Sequence, residues 1–137
     1  MGAFKLVDYV LDPNGREWIP IETFIGSVNQ LEGALRAMIN GKPKVVDFVA
    51  PNGDLLNIGI GGSFGYAAYA TTEMQREGRV ISARGGATID VRQPVEFEMG
   101  GTPTPVGPES LMKPEELLVI ARLFFETGEP HSSFRWE

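Results

Sequence analysis

Short runs of alternating apolar and polar residues fill the first half of the chain and predict a β-sheet. Phe4 to Leu11 has the period-two pattern of a half-buried strand, and residues 16–21 form a candidate partner strand after a turn. Pro20 cannot donate a hydrogen bond to a neighbour, so we expect the partner strand away from the centre of the sheet. Three more strands with short Gly-containing turns predict an antiparallel meander, because parallel neighbours need long crossovers. These strands are expected at residues 45–50, 55–60 and 64–70.

Two segments have the spacing of amphipathic helices instead. Ser27 to Asn40 places apolar residues at i, i+3, i+4 and i+7, starts with a Ser27–Gln30 capping-box pair and stops before Pro43. Pro114 to Thr127 has a similar apolar stripe, with a proline in its first turn and Gly128 as the expected left-handed residue after its end. Both apolar stripes are expected to pack on the sheet.

The last third of the chain mixes strand-like and proline-rich segments. Pro94 to Met99 alternates apolar side chains with Glu96 and Glu98, which indicates an edge-like strand with one acidic face. Residues 102–105 repeat Thr and Pro and are expected to cross the surface as extended chain, because prolines cannot join a central ladder. Short strands are also expected at residues 79–83, 87–91 and 132–136, and a loop at 74–78.

The pattern as a whole predicts a single α+β domain over residues 1–137. We expect a mostly antiparallel sheet of five or six strands, with the helices at 27–40 and 114–127 packed on one face. The chain contains no cysteine, so neither a disulfide nor a thiolate metal site is expected. It also lacks an apolar run of membrane-spanning length and the pattern of a signal peptide, so we expect a cytoplasmic protein.

The formal net charge of −6 is unevenly distributed. Residues 93–137 contain 8 acidic and 3 basic side chains, whereas residues 1–92 contain 10 and 9. An acidic domain repels phosphate backbones, so direct binding to nucleic acid is not expected. A localised acidic face suits a basic protein partner, although solubility alone also explains the charge.

Some segments of the chain resemble enzyme motifs but have simpler explanations. Gly61 to Gly65 fits the G-x-S-x-G nucleophile elbow around Ser63, and Asp90 and His131 follow in the order of an α/β-hydrolase triad. The residues after Ser63 alternate like a strand, whereas that motif requires a helix, so we interpret the segment as a hairpin turn. The single histidine cannot build a usual zinc site, and the glycines lack the helix and lysine of a phosphate loop. We therefore predict no catalytic residue, no metal and no cofactor.

Candidate contacts with a protein partner come from the acidic and aromatic residues. Glu96 and Glu98 share one strand face, where they form a partner-facing patch or simply prevent edge-to-edge aggregation. Trp18 lies beside a turn, and Trp and Tyr are frequent at binding hot spots. The candidate partner-binding residues are Trp18, Tyr69, Asp90, Glu96, Glu98 and Glu109.

Several motifs in residues 45–137 resemble a known family. Leu55-Leu56-Asn57-Ile58-Gly59-Ile60-Gly61, followed by Gly65-Tyr66-Ala67-Ala68-Tyr69, resembles its central L-x-V-G-hydrophobic … G-x-hydrophobic-x-Y hairpin. Glu96-Phe97-Glu98 is similar to its E-x-F motif. Residues 121–130, followed by Phe134-Arg135-Trp136, resemble its A-hydrophobic-x-x-F-x-x-T-G-x-x-P … hydrophobic-x-W end.

This family is the first-numbered immunity-protein family of bacterial polymorphic-toxin systems, of the actinobacterial type. The resemblance implies a non-enzymatic inhibitor that binds one cognate toxin domain in the cytoplasm and blocks its active site. Such toxins are often nucleases or nucleic-acid deaminases. A small-molecule-binding or accessory domain is the alternative from the residues themselves, followed by a small hydrolase that depends on Ser63.

Overall fold

The structure, a computed structural model, describes residues 3–84, 92–130 and 132–137. Within these ranges the chain forms nine strands and three α-helices, which confirms the predicted α+β class with more strands than expected. The strands are β1 (Phe4–Leu11), β2 (Trp18–Ile25), β3 (Lys44–Val49), β4 (Leu55–Gly61), β5 (Phe64–Ala70), β6 (Ile81–Arg84), β7 (Val95–Met99), β8 (Thr102–Val106) and β9 (Arg135–Trp136). The helices are α1 (Val28–Arg36), α2 (Thr72–Arg76) and α3 (Pro114–Thr127), and a 3₁₀ turn spans Pro108–Ser110.

The main sheet runs in the order β2-β1-β3-β4-β5-β6-β9, and every neighbouring pair on this path is antiparallel. Strand β2, which contains Pro20, lies at its edge as predicted. Strand β7 branches from this path, because it contacts β3 in parallel only at Lys44–Glu98 and pairs with β8 along its length. The β7–β8 hairpin is therefore an arm attached to the sheet rather than a continuation of it.

The large apolar core lies between the sheet and helices α1 and α3. Leu31 and Leu35 of α1 and Phe124 of α3 are almost completely buried there, against Phe48 and Ile58 of the sheet. Burying each of these side chains stabilises the fold by about 1.5–3 kcal/mol. Both predicted helices thus pack on one face.

The ends of these helices follow from their capping residues. The Ser27 hydroxyl accepts a hydrogen bond from the Gln30 N–H at 3.1 Å, while the Gln30 side chain accepts one from the Gly26 N–H. Helix α1 ends at Arg36 rather than at Asn40, and a turn follows. Gly128 has φ +74°, which confirms the left-handed residue predicted after α3.

A smaller apolar cluster lies on the opposite face of the sheet, under the β7–β8 hairpin. Val45 belongs to it and the adjacent Val46 to the large core, so successive side chains of β3 point to the two clusters. Phe97 of β7 is completely buried and lies on Gly59, where an added Cβ would be 3.1 Å from its ring. The glycine thus lets the hairpin approach the sheet closely.

Two predicted segments differ in the structure. Residues 74–78, expected as a loop, overlap helix α2, whose first turn is capped by the side chains of Thr71 and Asp54 at 3.1 Å each. Residues 102–105, expected to cross the surface without pairing, belong to β8. Pro103 and Pro105 pair with Glu98 and Glu96, and β8 tolerates both prolines because its other side has no strand neighbour among the described residues.

The predicted strand at 87–91 lies outside the described residues. None of the described helices has the length and apolar content needed to cross a membrane.

Candidate interaction surface

The β7–β8 hairpin brings together three of the six predicted contact residues. Glu96 and Glu98 belong to β7, and Trp18 of β2 packs against the turn that connects β7 to β8. In this turn Gly101 has φ +88°, and an added Cβ would collide with the indole nitrogen of Trp18. The half-buried Trp18 ring therefore supports the tip of the hairpin directly.

The acidic residues differ in how much of their charge is available. Glu96 is exposed, and no ion pair involves it among the described residues. Glu98 pairs with Lys42 at 3.2 Å, and Glu109 lies 3.5 Å from the Arg84 guanidinium. Exposed pairs of this kind are screened by water and contribute little to stability, but they reduce the negative potential around each acid.

The charge is distributed more evenly over the folded surface than along the sequence. Glu98, Glu109 and Glu115 come from the acidic last third of the chain, and each pairs with a basic residue from the first two thirds. These partners are Lys42, Arg84 and Arg36, respectively. Folding brings together charges that are far apart in the sequence. Among the predicted acids that the structure describes, Glu96 is the one without an ion pair to another described residue.

A further predicted contact residue, Tyr69, is not on this surface. Tyr69 is 8% exposed and packs against the rings of Phe124 and Trp136, because its position in β5 faces the helices. Burial, with the nearby Asp54 charge, raises the pKa of its hydroxyl. A partner could contact little of this ring. Tyr69 is therefore not exposed enough for the anchor role predicted from the sequence. Asp90 lies outside the described residues.

A cleft of about 370 Å³ separates the outer half of the hairpin from the sheet. Its floor is Tyr9 of β1, and its wall is formed by Met99, Gly100, Thr102 and Thr104. Met99 is 37% exposed, so an apolar side chain stands at the surface of the cleft. The cleft combines apolar surface with hydroxyl groups.

A polar network lies beneath the cleft. The Tyr9 hydroxyl donates a hydrogen bond to Asp47 at 2.9 Å, and the Asn57 amide donates one to the other carboxylate oxygen at 2.5 Å. Burial raises the pKa of Asp47, although both hydrogen bonds oppose this shift. Burial, together with the Asp47 charge, raises the pKa of Tyr9 to about 12, so Tyr9 remains a hydrogen-bond donor at neutral pH.

The sequence pattern does not predict this network. Its one local signal is Asp47, an acidic residue inside the otherwise apolar run of residues 45–49. A buried carboxylate requires hydrogen-bond donors, but the sequence does not show which residues provide them.

Exposed apolar side chains are concentrated on the β1–β2 hairpin. Five of the eight large hydrophobic residues exposed in the described part of the chain lie there, and Phe24 is the most exposed at 63%. These five are Val10, Leu11, Ile19, Ile21 and Phe24. Val10, Ile19 and Ile21 lie on one face of this hairpin, and Leu11 and Phe24 lie on the other. Their exposure was also not predicted, because alternation alone does not show which strand faces remain uncovered.

The segment around Ser63 is a β-hairpin turn, as predicted. Gly62 and Ser63 have φ +58° and +67°, the positive values that a two-residue type I′ turn requires. Ser63 is exposed and is followed by β5, so the strand-to-helix context of a nucleophile elbow is not present. Asp90 and His131, the other residues of that motif, lie outside the described residues.

The family model described as Immunity protein Imm1 matches residues 19–137, which is most of the 137-residue chain. The chain belongs to the Imm1 family. This confirms the resemblance to an immunity-protein family found in the sequence motifs. No curated protein gives a significant match.

The Imm1 match includes the β7–β8 hairpin but not every residue around it. It contains Glu96, Glu98 and the cleft residues of the hairpin, whereas Tyr9 and Trp18 precede it. The hairpin arm is therefore part of the Imm1 region, and the floor of the cleft comes from a strand before that region. No group of three or more potential metal ligands occurs among the residues described.

Proposed function

We propose that this protein neutralises a cognate toxin by binding to it, without catalysing a reaction. The observation that carries this proposal is the Imm1 match, which extends over nearly the whole chain. The chemistry of the hairpin is compatible with it, since its exposed groups are suited to protein contacts and the Ser63 turn lacks the context of a hydrolase.

The hairpin arm is the proposed contact surface. Trp18 and Met99 lie at its tip and offer an apolar centre, while Glu96 adds an exposed negative charge on β7. Hot spots commonly combine an aromatic anchor with a surrounding polar rim. This arrangement favours a partner with a basic rim around an apolar pocket.

A toxin that acts on nucleic acid would have such a basic surface. Enzymes that bind phosphate backbones need a positively charged active-site cleft. An acidic protein that occupies this cleft of the toxin excludes the nucleic-acid substrate. The proposed partner is therefore a nuclease or nucleic-acid deaminase domain, met in the cytoplasm where its substrate is found. The net charge of −6 accelerates this encounter, particularly at low salt.

Co-expression with the protein encoded by the adjacent gene tests the function. The neighbour alone should stop growth, co-expression should restore it, and the two purified proteins should form a complex. A neighbour that is harmless, or that does not bind this chain, would contradict the proposal.

Charge reversal tests the surface. Glu96→Lys should weaken the complex at least tenfold, mainly by slowing association at low salt, because it reverses an exposed charge that forms no ion pair with the described residues. Glu73→Lys is the matched control, because Glu73 is an exposed acid on helix α2 and its substitution changes the net charge by the same amount. Equal affinities of the two variants would place the contact surface elsewhere.

The cleft supports a second function, binding of a small molecule. Its volume of about 370 Å³ lies within the range of ligand sites, and its lining is apolar with a few hydroxyl groups. Filling the cleft with Met99→Trp should remove thermal stabilisation by any metabolite that binds there, whereas Val119→Trp on α3 should not. A metabolite library that stabilises neither protein would exclude this function.

A further inference from the structure

Strand β2 has an open outer side. It ends the strand order of the sheet, and no described strand pairs with this side. Pro20 has no N–H, so its pair with Tyr9 must be one of the ladder positions that exchange no hydrogen bonds. Backbone groups at alternate positions from Pro20 therefore point away from β1. They are the C=O of Pro20 and both the N–H and C=O groups of Trp18, Glu22 and Phe24.

The side chains of this edge are apolar and its charge is balanced. Phe24 and Ile21 are 63% and 46% exposed, and the single carboxylate of the strand, Glu22, pairs with Lys5 at 2.9 Å. A strand edge with outward backbone groups and no net charge is a template for another strand. Few native edges of this length remain uncovered.

We propose that this edge pairs with the same edge of a second copy of the chain, in an antiparallel ladder whose two-fold axis passes through Ile21. In symmetric antiparallel pairing, outward-pointing residues must face each other, so the axis coincides with a residue. An axis at Pro20 would place two prolines opposite each other, and one at Glu22 would oppose two carboxylates. An axis at Ile21 avoids both conflicts.

The Ile21 register is also self-complementary. It places Trp18 opposite Phe24 of the second copy, Ile19 opposite Thr23, and Ile21 opposite its own equivalent. Cross-strand aromatic and β-branched pairs of this kind are the favourable ones in antiparallel sheets. The pairing of Trp18 with Phe24 occurs twice because of the symmetry.

Three features limit the strength of this dimer. Pro20 faces Glu22 of the second copy and donates no hydrogen bond to it. The Phe24 carbonyl already accepts a hydrogen bond from the Gln30 side chain at 2.8 Å, so it would use its second lone pair. Two copies of charge −6 also repel each other, so added salt should strengthen the dimer while weakening an electrostatically steered toxin complex.

Disulfide cross-linking tests the register, because the chain has no cysteine of its own. The two Ile21 residues would form a pair without hydrogen bonds, with Cα atoms about 4.5 Å apart, a distance that a disulfide can bridge. Ile21→Cys should therefore give a covalent dimer on mild oxidation. Ile19→Cys is the matched control, since its two copies would be about 14 Å apart along the strands and should not cross-link. Equal cross-linking of both variants, or none of Ile21→Cys, would overturn the proposal.

Sedimentation equilibrium tests the dimer without cross-links. Phe24→Arg should raise the dissociation constant at least tenfold, while Val119→Arg, which changes an exposed apolar residue on α3, should leave it unchanged. Pro20→Val should lower it roughly tenfold, because each dimer gains two backbone hydrogen bonds. A chain that remains monomeric at millimolar concentration, or the same constant in all variants, would overturn the dimer and leave the toxin-binding proposal intact.

Discussion

The two faces of the sheet differ in what covers them. Among the residues that the structure describes, helices α1 and α3 enclose a core of 19 buried apolar residues on one face, and the β7–β8 hairpin encloses a cluster of four on the other. The helix-covered face stabilises the fold, whereas the hairpin-covered face keeps a cleft, a half-buried carboxylate and the exposed side chain of Met99. The difference indicates that stability and binding are assigned to opposite sides of one sheet, and variants on each side can separate the two properties.

The largest effect is expected on the helix-covered face. Phe124 is completely buried and its ring packs against those of Phe4, Phe48 and Tyr69. Phe124→Ala should lower the free energy of unfolding by about 3–5 kcal/mol, because it leaves a cavity that the helices cannot close. Urea denaturation measures this loss. If Phe97→Ala destabilised the protein more than Phe124→Ala, the assignment of stability to the helix-covered face would be wrong.

A smaller loss of stability but a larger loss of binding is expected under the hairpin. Phe97→Ala should cost roughly 2–3 kcal/mol, since the arm can relax onto the space that the ring leaves. The same variant should weaken toxin binding because the hairpin loses its attachment to the sheet. Calorimetric titration below the melting temperature measures the binding, with Phe124→Ala as the comparison. If the Phe97→Ala variant binds the toxin with unchanged affinity, the hairpin does not contribute to toxin binding.

The hairpin tip allows a finer test. Gly101→Val should destabilise the protein by about 1–3 kcal/mol, through its positive φ and through displacement of Trp18. Gly100→Val is the matched control, because Gly100 also has a positive φ but no atom lies within 4 Å of an added Cβ. Thermal denaturation and Trp fluorescence should respond more strongly in the first variant. Identical shifts would mean that the Trp18 contact contributes nothing.

The smallest effect concerns the half-buried carboxylate of Asp47. Because the pKa of Asp47 is raised in the folded protein, its contribution to stability is complete below its ordinary pKa of 3.8 and is lost as the pH rises through the folded value. Asp47→Asn removes this titration, so the free energy of unfolding should fall less steeply above pH 4 than in the wild type. Urea denaturation across this pH range compares the slopes. A steeper fall in the variant would contradict the inferred direction.

Local features of the sequence identified most of the elements. Helix α3 begins at Pro114 and ends before Gly128 as predicted, because these residues act within a single turn. The meander from β3 to β5 follows from its short turns. Helix α2 was not predicted because side-chain caps from Thr71 and Asp54, rather than an apolar stripe, stabilise it. Strand β8 was not predicted because its prolines are acceptable only where the neighbouring fold leaves one side of the strand free.

The candidate surface depends more strongly on contacts between residues that are remote in the sequence. The sequence by itself determined the strand and helix periods, the edge position of β2 and the family, since these depend on residue type and spacing over short stretches or on ordered motifs. The tertiary structure decided that Tyr69 is buried, that Glu98 is paired, and that Tyr9 donates to a carboxylate 38 residues away. Burial and electrostatic pairing depend on distances between residues remote in the chain, and those distances exist only after the hairpin has packed on the sheet.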